Sequence, residues 1–148
     1  MKYSVIFGRR RRWDVKCGMD VSVACPEGYD PDPQVLDFAK SVTDCKFELV
    51  RDPADAAKGA DVVITDVWAS MGQEEERAVR AKAFAGYCVD GRLMELAHPG
   101  CMVQHCLPAH KGEEISAEVF EAHADEIFEE AENRLHAQKA VLYLLMKD

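Results

Sequence analysis

No run in this sequence approaches the roughly 20 apolar residues needed to span a bilayer, and none of its six cysteines forms a CxxC pair. The first absence excludes a membrane-spanning helix. The second excludes the usual thioredoxin-like and zinc-ribbon spacings, so Cys17, Cys25, Cys45, Cys88, Cys101 and Cys106 are expected to be reduced thiols, mostly buried. Positive charge is also scarce. With 18 basic residues against 27 acidic ones, the formal net charge is −9, and the long-range field repels nucleic acid and anionic membrane surfaces. The start, Met1-Lys2-Tyr3-Ser4, has no apolar segment leading to a small-residue cleavage site, and a cytoplasmic location is expected.

What is present is an ordinary globular composition. Hydrophobic residues make up 48% and charged residues 30% of the 148 residues, which suits one core and excludes a disordered chain. Short apolar runs alternate with helical patterns, the rhythm of βαβ units feeding a parallel sheet. The predicted class is α/β, a Rossmann-like three-layer sandwich with a mainly parallel sheet in a single domain. Strands are predicted at Tyr3 to Phe7, Val21 to Cys25, Phe47 to Val50, Val62 to Thr65 and Met102 to Cys106, whose near-continuous apolar character fits cover on both faces.

Asp32-Pro33 predicts a helix to Val42, and Asp52-Pro53 a short one ending near Gly59. Gly72 to Ala85 reads as a helix whose early glutamates and later Arg77, Arg80 and Lys82 match the macrodipole. That charge pattern needs no functional explanation. A last helix, from about Glu130 to Met146, carries Ala137, Ala140, Val141, Leu144 and Leu145 at helical spacing, so a stripe of it should pack against something apolar.

Three strings are more specific: Asp66-Val67-Trp68-Ala69-Ser70-Met71-Gly72, His105-Cys106-Leu107-Pro108 and Glu132-Asn133-Arg134-Leu135-His136. In that order they resemble ornithine carbamoyltransferases, from about Cys17 to the C-terminus, with Pro26-Glu27-Gly28-Tyr29 and Pro108 to Glu114 inside the similarity. The likeness covers only the family's ornithine-binding half. It implies attack of the ornithine δ-amine on carbamoyl phosphate, giving citrulline and phosphate in a step of arginine biosynthesis, without a metal, a cofactor or a covalent enzyme intermediate. Asp66, Ser70 and Met71 would bind ornithine. Cys106, Leu107 and Arg134 would meet carbamoyl phosphate, with Cys106 and Arg134 as the catalytic pair.

Each residue also has a plainer reading. Asp66 could be a loop or capping carboxylate, Cys106 a small buried hydrophobe, and Arg134 a partner for Glu129, Glu130 and Glu132 on the helix surface. The cluster His98, Cys101, His105, Cys106 and His110 suggests zinc, but strand alternation sends His105 and Cys106 to opposite faces and the spacing fits no closed tetrahedral site. The Arg9 to Arg12 run, with Trp13 its one neighbouring aromatic, reads as a solvated segment.

Residues 1–16 depart from the resemblance. Where the family has a strand followed by Gly-Asp-x-x-Asn and a helix, this chain reads Ile6-Phe7-Gly8-Arg9-Arg10-Arg11-Arg12-Trp13. Two readings stay open: a disrupted first βαβ unit, or Tyr3 to Phe7 as an edge strand with another pairing. The family's Ser-x-Arg-Thr-Arg phosphate loop is absent, so the chain reads as the ornithine domain, residues 17–148, behind a divergent start. Three expectations follow: little or no turnover by this chain alone; a complementary carbamoyl-phosphate domain, or a homo-oligomer, as partner; and, as rivals, a non-catalytic self-associating module or a carbamoyltransferase for another amine such as putrescine.

Overall fold

The computed structural model describes residues 2–6, 18–42, 44–69 and 76–147, the first of these as backbone alone. Five strands form one sheet: β1 (Lys2–Ile6), β2 (Asp20–Ala24), β3 (Phe47–Val50), β4 (Val62–Thr65) and β5 (Met102–His105). All pairings are parallel and the order is β3-β2-β1-β4-β5. β1 is therefore the central strand, with Tyr3 paired to Val21 on one side and Val62 on the other. This corrects the edge-strand alternative. Crossover length constrains a connection, whereas pairing is decided by the strand's own two rows of backbone donors and acceptors. The Arg9 to Arg12 run and the rest of that connection, residues 7–17, lie outside the described residues.

Side-chain alternation divides the strands between two cores. Val21, Val23, Val62 and Ile64 pack with Ala39 of α1 (Pro33–Ser41) on one face. Ala24, Val63 and Val103 point the other way, into a larger cluster containing Ala56 and Ala57 of α2 (Pro53–Ala57), Phe84, Val89, Phe120 and Ile127. A parallel sheet covered on both faces is the predicted three-layer sandwich. Phe84 is fully buried and touches three rings, stacking on Trp68 and meeting Tyr29 and Tyr87 edge-on.

Local chemistry sets the helix starts. Asp32 and Asp52 each accept a backbone N–H two residues on and are followed by proline at the first helical position. α3 (Arg77–Ala83) falls within the predicted Gly72 to Ala85 stretch, of which residues 72–75 are outside the described set. Two short helices were not anticipated, α4 (Gly91–Met94) and α5 (Ala117–Ala122), capped by Asp90 and Ser116 respectively.

The last helix, α6 (Ala124–Met146), starts six residues before the predicted Glu130. Its beginning covers the outer edge of β5: Ile127 is buried, and Glu126 Oε2 accepts the Val103 N–H at 2.8 Å. Its end does not pack as expected. Leu144 is 70% and Leu145 77% exposed, and Ala137, Ala140 and Val141 are exposed with them, as is every described residue of the helix from 132 onward.

Candidate functional site

The strand order fixes where a ligand can lie. From β1 the chain adds β2 and β3 on one side and then returns to place β4 and β5 on the other, so the order reverses between β1 and β4. Open α/β sheets bind ligands outside the carboxyl ends at such a point. Asp66 is the first residue past β4 and Cys106 the first past β5, and the preceding Thr65 and His105 are registered partners.

The two side chains meet. Cys106 Sγ donates to Asp66 Oδ1 at 3.2 Å, and the same oxygen accepts the Val67 N–H at 2.8 Å. Burial, and then the charge and hydrogen bond of Asp66, push the Cys106 thiol up to about 11; Glu130 adds to the rise and Arg134 opposes it. At neutral pH the thiol is a protonated hydrogen-bond donor and not a thiolate nucleophile. The electrostatic influence on Cys106 brings Arg134 into relation with the pair, although its own side chain is exposed on α6. Ser70 and Met71 lie outside the described residues.

Beneath the rim lies a polar pair that the sequence reading did not single out. His105 and Glu114 are both fully buried, with His105 Nε2 3.1 Å from Glu114 Oε1. The Leu107 N–H donates to His105 Nδ1 at 2.9 Å, which makes Nδ1 the acceptor and Nε2–H the donor to the carboxylate. Glu114 Oε1 also accepts the His110 N–H. Burial raises the Glu114 pKa, but the hydrogen bonds from His105 and His110 outweigh it, and the carboxyl sits below its usual value. This pair ties both ends of the 106–114 loop to the sheet. Leu107 meanwhile takes a φ of 52°, a left-handed conformation that costs a leucine about 1–2 kcal/mol and is held by its packing on the main core.

Arginines fasten the neighbouring loops. Arg80, 5% exposed, donates through Nε and Nη2 to Glu76 and through Nη1 to the Trp68 carbonyl, with its guanidinium 5.3 Å from the centre of the Tyr29 ring. Arg51 donates to the Cys25 carbonyl at 3.0 Å and to Asp30 at 2.6 Å, fixing the 25–30 loop. Arg77 pairs with Glu113. The charge order of α3 fits macrodipole partners, whereas Arg80 is buried and holds the Trp68 carbonyl in the loop that follows Asp66.

One group of possible metal ligands converges among the described residues: His110, Glu113 and Glu114, with ligand atoms within 4.8 Å of one another. Arg77 already engages Glu113, and His105 with the His110 N–H engages Glu114, so the group serves as loop scaffolding. Among the described cysteines, Cys25 and Cys101 are buried, whereas Cys45, Cys88 and Cys106 are half-buried, fewer fully buried than expected; Cys17 lies outside the described residues.

Residues 12–145 match the Asp/Orn binding domain of the aspartate/ornithine carbamoyltransferases. The chain belongs to that family. It is 55% identical over 130 residues to the ornithine carbamoyltransferase of Geobacter metallireducens, which takes in 88% of this chain and 43% of that protein. Among solved structures, the anabolic ornithine carbamoyltransferase of Campylobacter jejuni superposes with a TM-score of 0.84 at 42% identity, over 88% of this chain and 44% of that one. The Pyrococcus furiosus ornithine carbamoyltransferase gives 0.80 at 50% identity, over 88% and 42%. This carbamoyltransferase chain thus spans less than half the length of these relatives. None of its described helices is long and apolar enough to cross a membrane.

Proposed function

We propose that this chain is the ornithine-binding half of a cytoplasmic ornithine carbamoyltransferase, acting in the step carbamoyl phosphate plus ornithine to citrulline plus phosphate. The observation that carries the reading is the Cys106–Asp66 contact at the carboxyl ends of β4 and β5. Asp66 offers a carboxylate to the ornithine ammonium group, and Ser70 and Met71 are assigned to the same substrate. Cys106, Leu107 and Arg134 face carbamoyl phosphate: the thiol as a neutral donor, the leucine through its carbonyl, the guanidinium against negative charge on the carbamoyl oxygen.

The reaction asks the protein to hold two reactants together and to stabilise developing charge. A thiol pushed up to about 11 fits that role and does not fit covalent catalysis. Since the family's phosphate-gripping half is absent from this sequence, the chain alone should form little or no citrulline, and a complementary carbamoyl-phosphate domain should be needed. A steady-state citrulline assay tests this with the chain alone and with the amino-terminal half of a relative added. Calorimetry with ornithine and with putrescine tests the substrate. Family-like rates from the chain alone would sink the half-site reading; binding of putrescine in preference to ornithine would sink the substrate assignment.

A further inference from the structure

Arg80 makes contacts that its place in α3 does not require. Pairing with Glu76 is an ordinary helix contact between residues four apart and needs no burial. Here Arg80 is 5% exposed, while the Glu76 side chain remains 59% exposed. Withdrawing a guanidinium from water is costly, and an apolar side chain of similar volume often packs such a position at least as well. What an arginine adds is its fork. Nε and Nη2 both reach Glu76 Oε2, at 2.9 and 2.8 Å, which leaves Nη1 to donate to the Trp68 carbonyl at 3.2 Å.

That carbonyl lies two residues beyond Asp66. On its amino-terminal side Asp66 is held by β4, whose Thr65 is registered with Ile6 of β1 and His105 of β5. On its other side the holds are at Trp68, whose ring stacks on Phe84 and whose carbonyl accepts from Arg80. A stacked ring fixes a side chain and leaves the backbone free to turn about it, whereas a bond to the carbonyl fixes the peptide plane. We propose that Arg80 is a positioning residue for the reaction: by fixing the Trp68 peptide it holds the Asp66 carboxylate against Cys106, in place for the ornithine ammonium group. The part that concerns ornithine rests on the function proposed for this chain, whereas the hold on Asp66 is tested without substrate.

The test follows alkylation of Cys106 by iodoacetamide against pH, read by mass spectrometry of the labelled peptide. Burial is the largest influence on this thiol and Asp66 the next, with Glu130 adding to the rise and Arg134 opposing it. Arg80→Lys keeps the charge and loses the fork, and should move the profile to lower pH by roughly one pH unit. Arg80→Gln should move it the same way, although losing a cation would by itself move it up. In an Asp66→Asn background neither change should move it further, because groups that act through one another are not additive. Val119→Ala, which loosens the main core from α5, should leave the profile in place. Glu76→Ala alters an exposed side chain, so it should fold even where the Arg80 variants do not, and should give a smaller shift in the same direction.

An unmoved profile in the folded Arg80 variants, or in Glu76→Ala where those do not fold, overturns the proposal. So does a shift that persists in the Asp66→Asn background or is shared by Val119→Ala, either of which makes Arg80 a packing residue. Calorimetry then compares ornithine binding by the parent chain and Arg80→Lys, and about tenfold weaker binding by the variant is expected. Equal affinity despite a moved profile overturns the positioning role. A parent chain that binds no ornithine overturns the ornithine part together with the function it rests on, whatever the alkylation shows.

Discussion

Cys106 Sγ lies 3.2 Å from Asp66 Oδ1, joining the ends of two adjacent strands through a thiol that donates and a carboxylate that accepts. Because burial is the largest influence on the thiol and Asp66 the next, alkylation of Cys106 by iodoacetamide should rise with pH toward about 11. Asp66→Asn should move the profile to lower pH while leaving it above the value of a free cysteine, since the burial remains. Mass spectrometry of the labelled Cys106 peptide reads both; an unchanged profile in the variant would contradict the assigned contact.

Alkali should unfold the protein earlier than its ion pairs suggest. The thiols of Cys25, Cys88, Cys101 and Cys106 are each pushed up to about 11, mainly by burial. A thiol whose folded value is raised contributes stability that is complete below its unfolded value, about 8.5, and is lost as pH rises towards the folded one. Urea midpoints should therefore fall between about pH 8.5 and pH 11. Replacing Cys101 by alanine should flatten that limb.

Glu114 acts at the other end of the scale. Its folded pKa is lowered, so its contribution is complete above its unfolded value, about 4.3, and is lost as pH falls through the folded value. Glu114→Gln keeps the volume but weakens two charge-assisted hydrogen bonds, at a cost of about 2 kcal/mol at pH 7. Urea denaturation should show the gap to the parent chain narrowing in acid.

Phe84→Ala should cost about 3–5 kcal/mol by leaving a cavity among Tyr29, Trp68 and Tyr87. Trp68 stacks on this ring, so its fluorescence should report the loss directly. A cost under about 1 kcal/mol would mean that the rings collapse to fill the space.

Much of the fold is legible in the residues. The strands at Phe47–Val50 and Val62–Thr65 fall where the apolar runs lie, and Asp32-Pro33 and Asp52-Pro53 open helices, because capping chemistry is local. Other features depend on partners distant in the chain. An apolar stripe announces that a helix has a face and not what covers it, so the exposure of Leu144 and Leu145 could not be read. The pairing of His105 with Glu114 requires a loop to turn back over nine residues. Arg80 sits in a charge pattern that a solvated helix would share, and only its contacts with Trp68 and Tyr29 separate the two. The proposed site was legible through its strings, but Asp66 and Cys106 meet only because β4 and β5 are neighbours.

The place of β1 in the sheet has a consequence for truncation. It alone hydrogen-bonds to both the β2–β3 pair and the β4–β5 pair, so deleting residues 2–6 would remove no side chain of the proposed site and yet split the ladder into two ribbons held together only by the side-chain clusters on the two faces. The first few residues of the chain act as the keel of the whole sheet, and a shortened form should lose cooperative unfolding altogether, not merely some of its stability.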